Sequence, residues 1–316
     1  MRALWMVALA AAALAQRPAL FDYDRRVPFQ YQEEAIRKDA QVEVAGAGFQ
    51  SPKGGKVNLV TVRPTGKGPF AGVIFQHGGG QSMTTYVAEA EVLARAGAVS
   101  LILETPGTAP GKWKSEQEMS GAEMRDYYAE IVICYRRAID YLESLPTVDR
   151  HRIAFVGHSY GAIMGGVLVG TDPRVKTFVL AGGVARYTRH IAEAPVDFWA
   201  AWRKQFTPEQ MGRELEAMRP VDPDQYVNAA EHGPILVQCG NFDFINVEGC
   251  GALYQAASNP KELRWYDTDH SFADIEATFD RLQWLERELH LKPVRPLLER
   301  LWASPAKRSA PLAIKP

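Results

Sequence analysis

The stretch Arg152-Ile153-Ala154-Phe155-Val156-Gly157-His158-Ser159-Tyr160-Gly161 decides the fold of this chain. Its first half, Arg152–Val156, reads as a short apolar strand, and the residues from Gly161 to Val169 read as a helix. Between them stands a Gly-x-Ser-x-Gly pentapeptide. A sharp turn from strand into helix lifts the Ser159 hydroxyl off the carboxyl edge of a sheet. Both flanking positions must be glycine because the chain passes too close there for a Cβ. The helix begins at that spot, so its first N–H groups face it and can receive negative charge. Ser159 is therefore the candidate nucleophile.

Working outward, the same alternation recurs on both sides. Apolar strands are predicted at Gln41–Phe49, Lys56–Arg63, Ala71–Gln76 and Ala98–Leu103 before the pentapeptide. Further strands follow at Val175–Ala181, Pro234–Cys239 and Leu263–Tyr266. Helical segments lie between them at Ala88–Ala96, Met124–Leu145, Gly249–Ala257 and Phe272–Leu289. The longest shows its apolar residues at 3–4 spacing, from Tyr127 and Tyr128 through Ile131 and Tyr135 to Leu142. Continuous hydrophobic strands separated by helices indicate a doubly wound, mostly parallel sheet of about eight strands covered on both faces. Residues 185–230 break the alternation: they read as helical, with no strand among them, and form a small cap insertion. Phe198, Trp199, Trp202 and Phe206 fall on one face of it and are expected either to line a substrate pocket or to pack the cap onto the body.

A second glycine-rich turn, His77-Gly78-Gly79-Gly80, follows the strand Ala71–Gln76. Successive glycines leave their N–H groups unshielded, so Gly79 and Gly80, with the N–H of Tyr160, are the candidate donors to a developing oxyanion. His77 precedes the nucleophile and is read as structural. A carboxylate and a histidine are still needed, and both appear at the ends of later strands. The run Val237-Gln238-Cys239-Gly240-Asn241-Phe242-Asp243 leaves its strand through a Gly-Asn turn and delivers Asp243. The next strand ends in Asp267-Thr268-Asp269-His270. Reactive groups of open α/β sheets collect at that carboxyl edge, so Ser159, Asp243 and His270 can converge. Asp269 is not chosen as the acid, because adjacent side chains in an extended loop point to opposite sides.

Composition narrows the class. The chain has 316 residues, with 36 Lys and Arg against 37 Asp and Glu, a net charge of -1. That balance supplies no cationic surface for nucleic acid. No Gly-x-Gly-x-x-Gly occurs, and Gly107–Lys112 lacks the spacing of a phosphate loop, so no nucleotide cofactor is expected. The three cysteines, Cys134, Cys239 and Cys250, suggest neither a disulfide scaffold nor a zinc site, though Cys239 and Cys250 could pair. Residues 1–15 carry a single charge at Arg2, then an apolar run ending in Ala13-Leu14-Ala15. This is the layout of a cleavable signal peptide and is too short for a membrane anchor, so a periplasmic or secreted protein is expected. The full division is then signal 1–15, N-terminal arm 16–40, catalytic domain 41–292 and tail 293–316.

The Gly157-His158-Ser159-Tyr160-Gly161 and His77-Gly78-Gly79-Gly80 motifs, with the order Ser159, Asp243, His270, make the chain resemble the α/β-hydrolases. Within them it is similar to the dienelactone-hydrolase-like and acetyl-xylan-esterase-like bacterial esterases from about Gln41 to Leu291. The resemblance implies hydrolysis of a small-molecule carboxylic ester, no cofactor, and the triad just named. Dienelactone hydrolases carry a cysteine nucleophile where Ser159 stands here. Two rival readings share the fold. One is a prolyl-oligopeptidase-like peptidase, against which residues 16–40 leave no room for an N-terminal propeller. The other is an inactive binding module, against which the triad is intact. If residues 1–15 are a signal, the mature chain begins at Gln16. N-terminal sequencing of exported protein checks this, and functional protein still starting at Met1 overturns it.

Overall fold

The computed structural model describes residues 19–104, 114–245 and 247–303. The expected signal segment with its cut before Gln16, the Gly107–Lys112 stretch and the tail beyond Ala303 lie outside the described residues. The apolar runs assemble into one sheet of nine strands: β1 (Gln32–Lys38), β2 (Val42–Gln50), β3 (Lys56–Pro64), β4 (Phe70–Gln76), β5 (Ala98–Leu103), β6 (Val148–His158), β7 (Thr177–Ala181), β8 (Ile235–Gly240) and β9 (Lys261–Tyr266). Their spatial order is β1-β2-β3-β5-β4-β6-β7-β8-β9. From β5 to β9 every neighbouring pair is parallel, and β1, β2 and β3 add on antiparallel. All residues of β5 and β8 are buried, as expected for parallel strands covered on both faces.

The sheet has one strand more than the sequence suggested. The extra one, β1, falls inside segment 16–40, expected to be an arm over the surface. Its sequence, Gln-Glu-Glu-Ala-Ile-Arg-Lys, buries almost nothing. It is held instead by its antiparallel ladder to β2 and by ion pairs such as Glu33–Arg63 at 2.7 Å. A charged, poorly buried strand suits a sheet edge, where charge discourages pairing with another chain, but it leaves no hydrophobic period to read. Ahead of β1 the chain is tied down as well. Phe21 is fully buried against the Tyr226 ring, and the Arg136 guanidinium donates to the Phe21 carbonyl at 2.7 Å.

Helices cover both faces. α1 (Val87–Ala96), α8 (Ile275–Glu288) and α9 (Arg295–Ala303) pack on one side. α2 (Gly121–Ser144), α3 (Tyr160–Val169) and α7 (Val247–Ala256) pack on the other. α2 starts three residues before the periodic pattern predicted. Ser120 accepts from the Glu123 N–H while the Glu123 carboxylate accepts from the Ser120 N–H, a reciprocal cap that needs no apolar residue. α8 starts three residues later than predicted, because the chain after His270 first makes a turn and Asp274 then caps the helix by accepting from Glu276.

Between β7 and β8 lie three short helices, α4 (Tyr187–Glu193), α5 (Asp197–Arg203) and α6 (Pro208–Met218). Trp202 is fully buried and donates its indole N–H to the Met119 carbonyl at 3.1 Å. Glu214 on α6 accepts from the Gly121 N–H at the start of α2. Asp222, also fully buried, accepts from the N–H and hydroxyl of Thr188 at 2.9 and 2.5 Å. Burial pushes the Asp222 carboxyl up from 3.8 to about 6. A carboxyl raised in the folded state stabilises the fold most below its unfolded value and loses that contribution as pH rises through about 6. Asp222→Asn does not titrate there. Relative to wild type, the variant should therefore gain on the order of 2–3 kcal/mol between pH 4 and pH 7. Urea unfolding of both proteins at both pH values measures it, and a difference flat with pH would refute it.

Candidate active site

The sheet register places the site. Gln76 of β4 pairs with Gly157 of β6, Gly157 with Leu180 of β7, Leu180 with Val237 of β8, and Val237 with Leu263 of β9. The loops leaving β4, β6, β8 and β9 thus emerge in one row at one edge. These are the loops that carry His77-Gly78-Gly79-Gly80, Ser159, Asp243 and His270.

At the end of β6 the chain reverses into α3 within one residue. Ser159 sits at φ 54°, ψ -118°, a conformation that costs a non-glycine residue on the order of 1–3 kcal/mol. A Cβ on Gly157 would lie 2.3 Å from the Gly161 carbonyl oxygen, and one on Gly161 would lie 2.4 Å from the Gln76 carbonyl oxygen. Only glycine fits either position. The turn is held by the Ser159 N–H, which donates to the Ala181 carbonyl on β7 at 2.7 Å.

The loops after β8 and β9 are zipped together by backbone bonds. Asn241 N–H donates to Tyr266 and Phe242 N–H to Thr268, at 2.9 and 3.1 Å. A Cys239–Cys250 disulfide joins the end of β8 to α7 and closes the short segment that contains Asp243. Cys134 is buried on α2 and takes no part in the disulfide. Within this frame Asp243, its side chain 1% exposed, faces His270: the imidazole Nδ1–H donates to Asp243 Oδ1 at 2.8 Å. The same oxygen accepts from the Ile245 N–H at 2.8 Å, which fixes the carboxylate's orientation. On the other side of the ring, Ser159 Oγ lies 2.7 Å from His270 Nε2. The other two acids are occupied elsewhere. Asp267 accepts from the Asn241 amide and Asp269 accepts from the N–H and hydroxyl of Ser271.

The glycine loop stands beside this relay. Gly78 is buried against Ser159, and its N–H already donates to the Gln81 side chain at 2.8 Å. Gly79 and Gly80 are exposed at the mouth, Gly80 with φ 74°. The N–H of Tyr160 opens α3 and belongs to a first turn whose N–H groups have no partner within the helix. His77 is buried, its ring between the Gly78 carbonyl and Glu104.

A cavity of about 370 Å³ opens next to His270. Phe244 links the two: its ring lies tilted, 4.2 Å from the His270 ring, and the residue belongs to the cavity wall. The remaining wall comes largely from the cap, with Arg186, Arg189, His190 and Glu193 on or beside α4, and from Glu248 on α7. Burial lowers the pKa of His190, keeping that imidazole neutral. The residues expected to form a pocket are placed otherwise. Trp202 is the anchor between cap and body described above, Trp199 is buried edge-on against Tyr187, and Phe198 is about one third exposed. Phe206 packs against Trp202 at 4.7 Å, and none of the four lines the cavity. Phe244 and His190 went unread in the sequence. The only hint of the former was its place in Phe242-Asp243-Phe244, where alternate residues flank the acid. Among the described residues no cluster of His, Cys, Asp and Glu could hold a metal ion, and no helix is long and apolar enough to cross a membrane.

A mostly parallel sheet between two helical layers, with a serine on a strained strand-to-helix turn, defines an α/β-hydrolase. Residues 84–285 match the prolyl oligopeptidase family, and the chain belongs to that family. The chain is similar in structure to the acetyl xylan esterase from Paenibacillus sp. R4, at 18% identity and a TM-score of 0.71, over 87% of this chain and 93% of that one. It is likewise similar to acetyl xylan esterase 1 from Thermoanaerobacterium sp. JW/SL YS485, at 15% identity and a TM-score of 0.70, over 87% and 93% of the two chains. A putative dipeptidyl aminopeptidase IV from Bacteroides ovatus aligns at 16% identity and a TM-score of 0.60, over 79% of this chain and 36% of that one. No curated protein matches the chain.

Because only Asp243 reaches the imidazole, Asp243→Asn should lower kcat by roughly 10²–10⁴ through loss of the correct tautomer, with the fold intact. Asp269→Asn should stay within about tenfold of wild type. Steady-state kinetics of both variants separate the acids, and a near-normal Asp243→Asn enzyme would remove Asp243 from the relay.

Proposed function

We propose that this chain is a serine hydrolase of carboxylic esters working through an acyl-enzyme. The 2.7 Å approach of Ser159 Oγ to His270 Nε2, on a ring held from behind by Asp243, carries this reading. Ser159 attacks the ester carbonyl while His270 takes its proton, and Asp243 holds the imidazole tautomer and stabilises the imidazolium. The N–H groups of Tyr160 and of Gly79 or Gly80 receive the oxyanion. One such donor is worth about 3 kcal/mol of barrier. His270 then passes its proton to the departing alcohol oxygen and serves as base again when water attacks the acyl-enzyme.

The alcohol must leave beside His270, and the nearby cavity that Phe244 lines is the candidate to receive it. Its wall mixes two arginines, both paired with carboxylates, with glutamates, the neutral His190 and the Phe244 ring. Such a wall suits a neutral, hydrogen-bonding alcohol, and the esterases named above make a carbohydrate acetate a reasonable first substrate. The mature enzyme is proposed to act outside the cytoplasm, a reading supported by the apolar leader and by the disulfide, since such bonds persist in oxidising compartments. The family membership favours a second reading, cleavage of a peptide bond by the same relay.

Purified protein should hydrolyse p-nitrophenyl acetate and be labelled by a fluorophosphonate, and Ser159→Ala should abolish both. A dipeptidyl amide should be cleaved far more slowly. Faster amide than ester turnover would replace the esterase reading with the peptidase one, and an unlabelled wild-type protein would sink both.

A further inference from the structure

The residue before the nucleophile, His158, has no place in the relay, yet it is 3% exposed at its centre. Its ring sits 5.0 Å from the His270 ring and edge-on to Phe272 at 5.6 Å. Nε2 lies 2.6 Å from the backbone carbonyl oxygen of His270, and Nδ1 lies 3.0 Å from the Gln81 side chain. Gln81 in turn accepts from the Gly78 N–H at 2.8 Å. One imidazole therefore touches the loop that carries the general base and, through Gln81, the glycine loop.

Burial, reinforced by the nearby His270, lowers the His158 pKa to about 3, so the ring is neutral and bears one N–H. Both neighbours present oxygens that only accept, the His270 carbonyl at 2.6 Å and Gln81 Oε1 at 3.0 Å, so the single proton goes to the shorter contact, on Nε2, and Nδ1 meets Gln81 by packing alone. The opposite edge of the ring acts as a spacer. A Cβ on Gly78 would fall 2.9 Å from His158 Nδ1 and 3.0 Å from Ser159 Cβ, so the glycine loop rests directly on this ring and on the nucleophile.

We propose that His158 is a positioning residue for the hydrolysis. Its Nε2–H fixes the backbone of His270 so that the imidazole meets Ser159, and its ring sets the height of the glycine loop over the nucleophile. This role rests on the esterase reading above. It also explains why a neutral, hydrogen-bonding ring occupies a position that the turn itself leaves open to any side chain, since only the two glycines and the serine of the pentapeptide are dictated by the turn and the chemistry.

The test compares wild type with three variants on p-nitrophenyl acetate, with melting temperature and the rate of fluorophosphonate labelling measured alongside. His158→Phe keeps the ring but loses the donor. Its kcat and labelling rate should fall about a hundredfold, the scale of a displaced catalytic group, while KM stays within about threefold. His158→Gln can reach the His270 carbonyl with its amide N–H, whereas His158→Asn is one methylene too short. Gln should therefore recover at least about tenfold more kcat than Asn at a similar melting temperature, a difference that mere packing would not produce. A folded His158→Phe enzyme within threefold of wild type overturns the proposal. If His158→Phe fails to fold, equal kcat in the Gln and Asn variants overturns it. Failure of the esterase reading looks different, because it shows in wild type itself, which would then either be unlabelled and inactive or turn over a dipeptidyl amide faster than the ester.

Discussion

The contact on which the rest depends is the near collision of two backbones at the head of β6. Gly157 meets the Gly161 carbonyl, and Gly161 meets the Gln76 carbonyl, each at a distance that excludes any side chain. That packing forces Ser159 into positive φ and so aims its hydroxyl out of the sheet. The strain is local and costs on the order of 1–3 kcal/mol. It is sustained by β4 and β7 on either side, both paired to the last residues of β6, and by the buried α3 behind it. A serine held this way can be placed on any sheet with parallel neighbours, and what it then does depends on the loops that meet it.

Two of those loops are made to behave as one. The segments after β8 and β9 share backbone hydrogen bonds, and a disulfide pins the first of them to α7. Closing a loop of this size restricts the unfolded chain by roughly 3 kcal/mol in the chain-entropy view. Its local effect matters more here, since the carboxylate and imidazole make their 2.8 Å contact from loops that leave different strands. Ile245 N–H adds the last restraint by fixing which Asp243 oxygen faces the ring. His270 and Asp243 are thus held by main-chain geometry, with little left to side-chain freedom.

How much could be read beforehand divides along the same line. The strands that build the centre of the sheet, and the places of Ser159, Asp243 and His270 at its edge, were legible because they follow from backbone demands: buried runs, glycines where no Cβ fits, and turns at strand ends. The edge strand β1 was not, because its stability comes from ladder bonds and ion pairs with β2 and β3, which leave no period in its own residues. The starts of α2 and α8 were misjudged by three residues for a similar reason, since capping by Ser120 and Asp274 acts outside the apolar pattern. His158, Phe244 and His190 matter through contacts with segments distant in sequence, and no spacing rule reaches them.

The cap shows why apolar residues are a poor guide to a binding surface in a short insertion. α4, α5 and α6 are too small to build a core of their own, so their largest side chains go to holding them on the body. Trp202 buries its whole surface and satisfies its N–H on Met119, and Trp199 packs against Tyr187. A fully buried aromatic side chain of this size stabilises by about 3 kcal/mol or more, which the cap cannot forgo. What remains to face the cavity is the polar side of α4: Arg186 and Arg189 with their carboxylate partners, and His190. Anchoring and recognition compete for the same few positions in such an insertion. Here anchoring takes the tryptophans, so what the cap adds to the cavity wall is charged residues and small apolar ones such as Ala194 and Pro195.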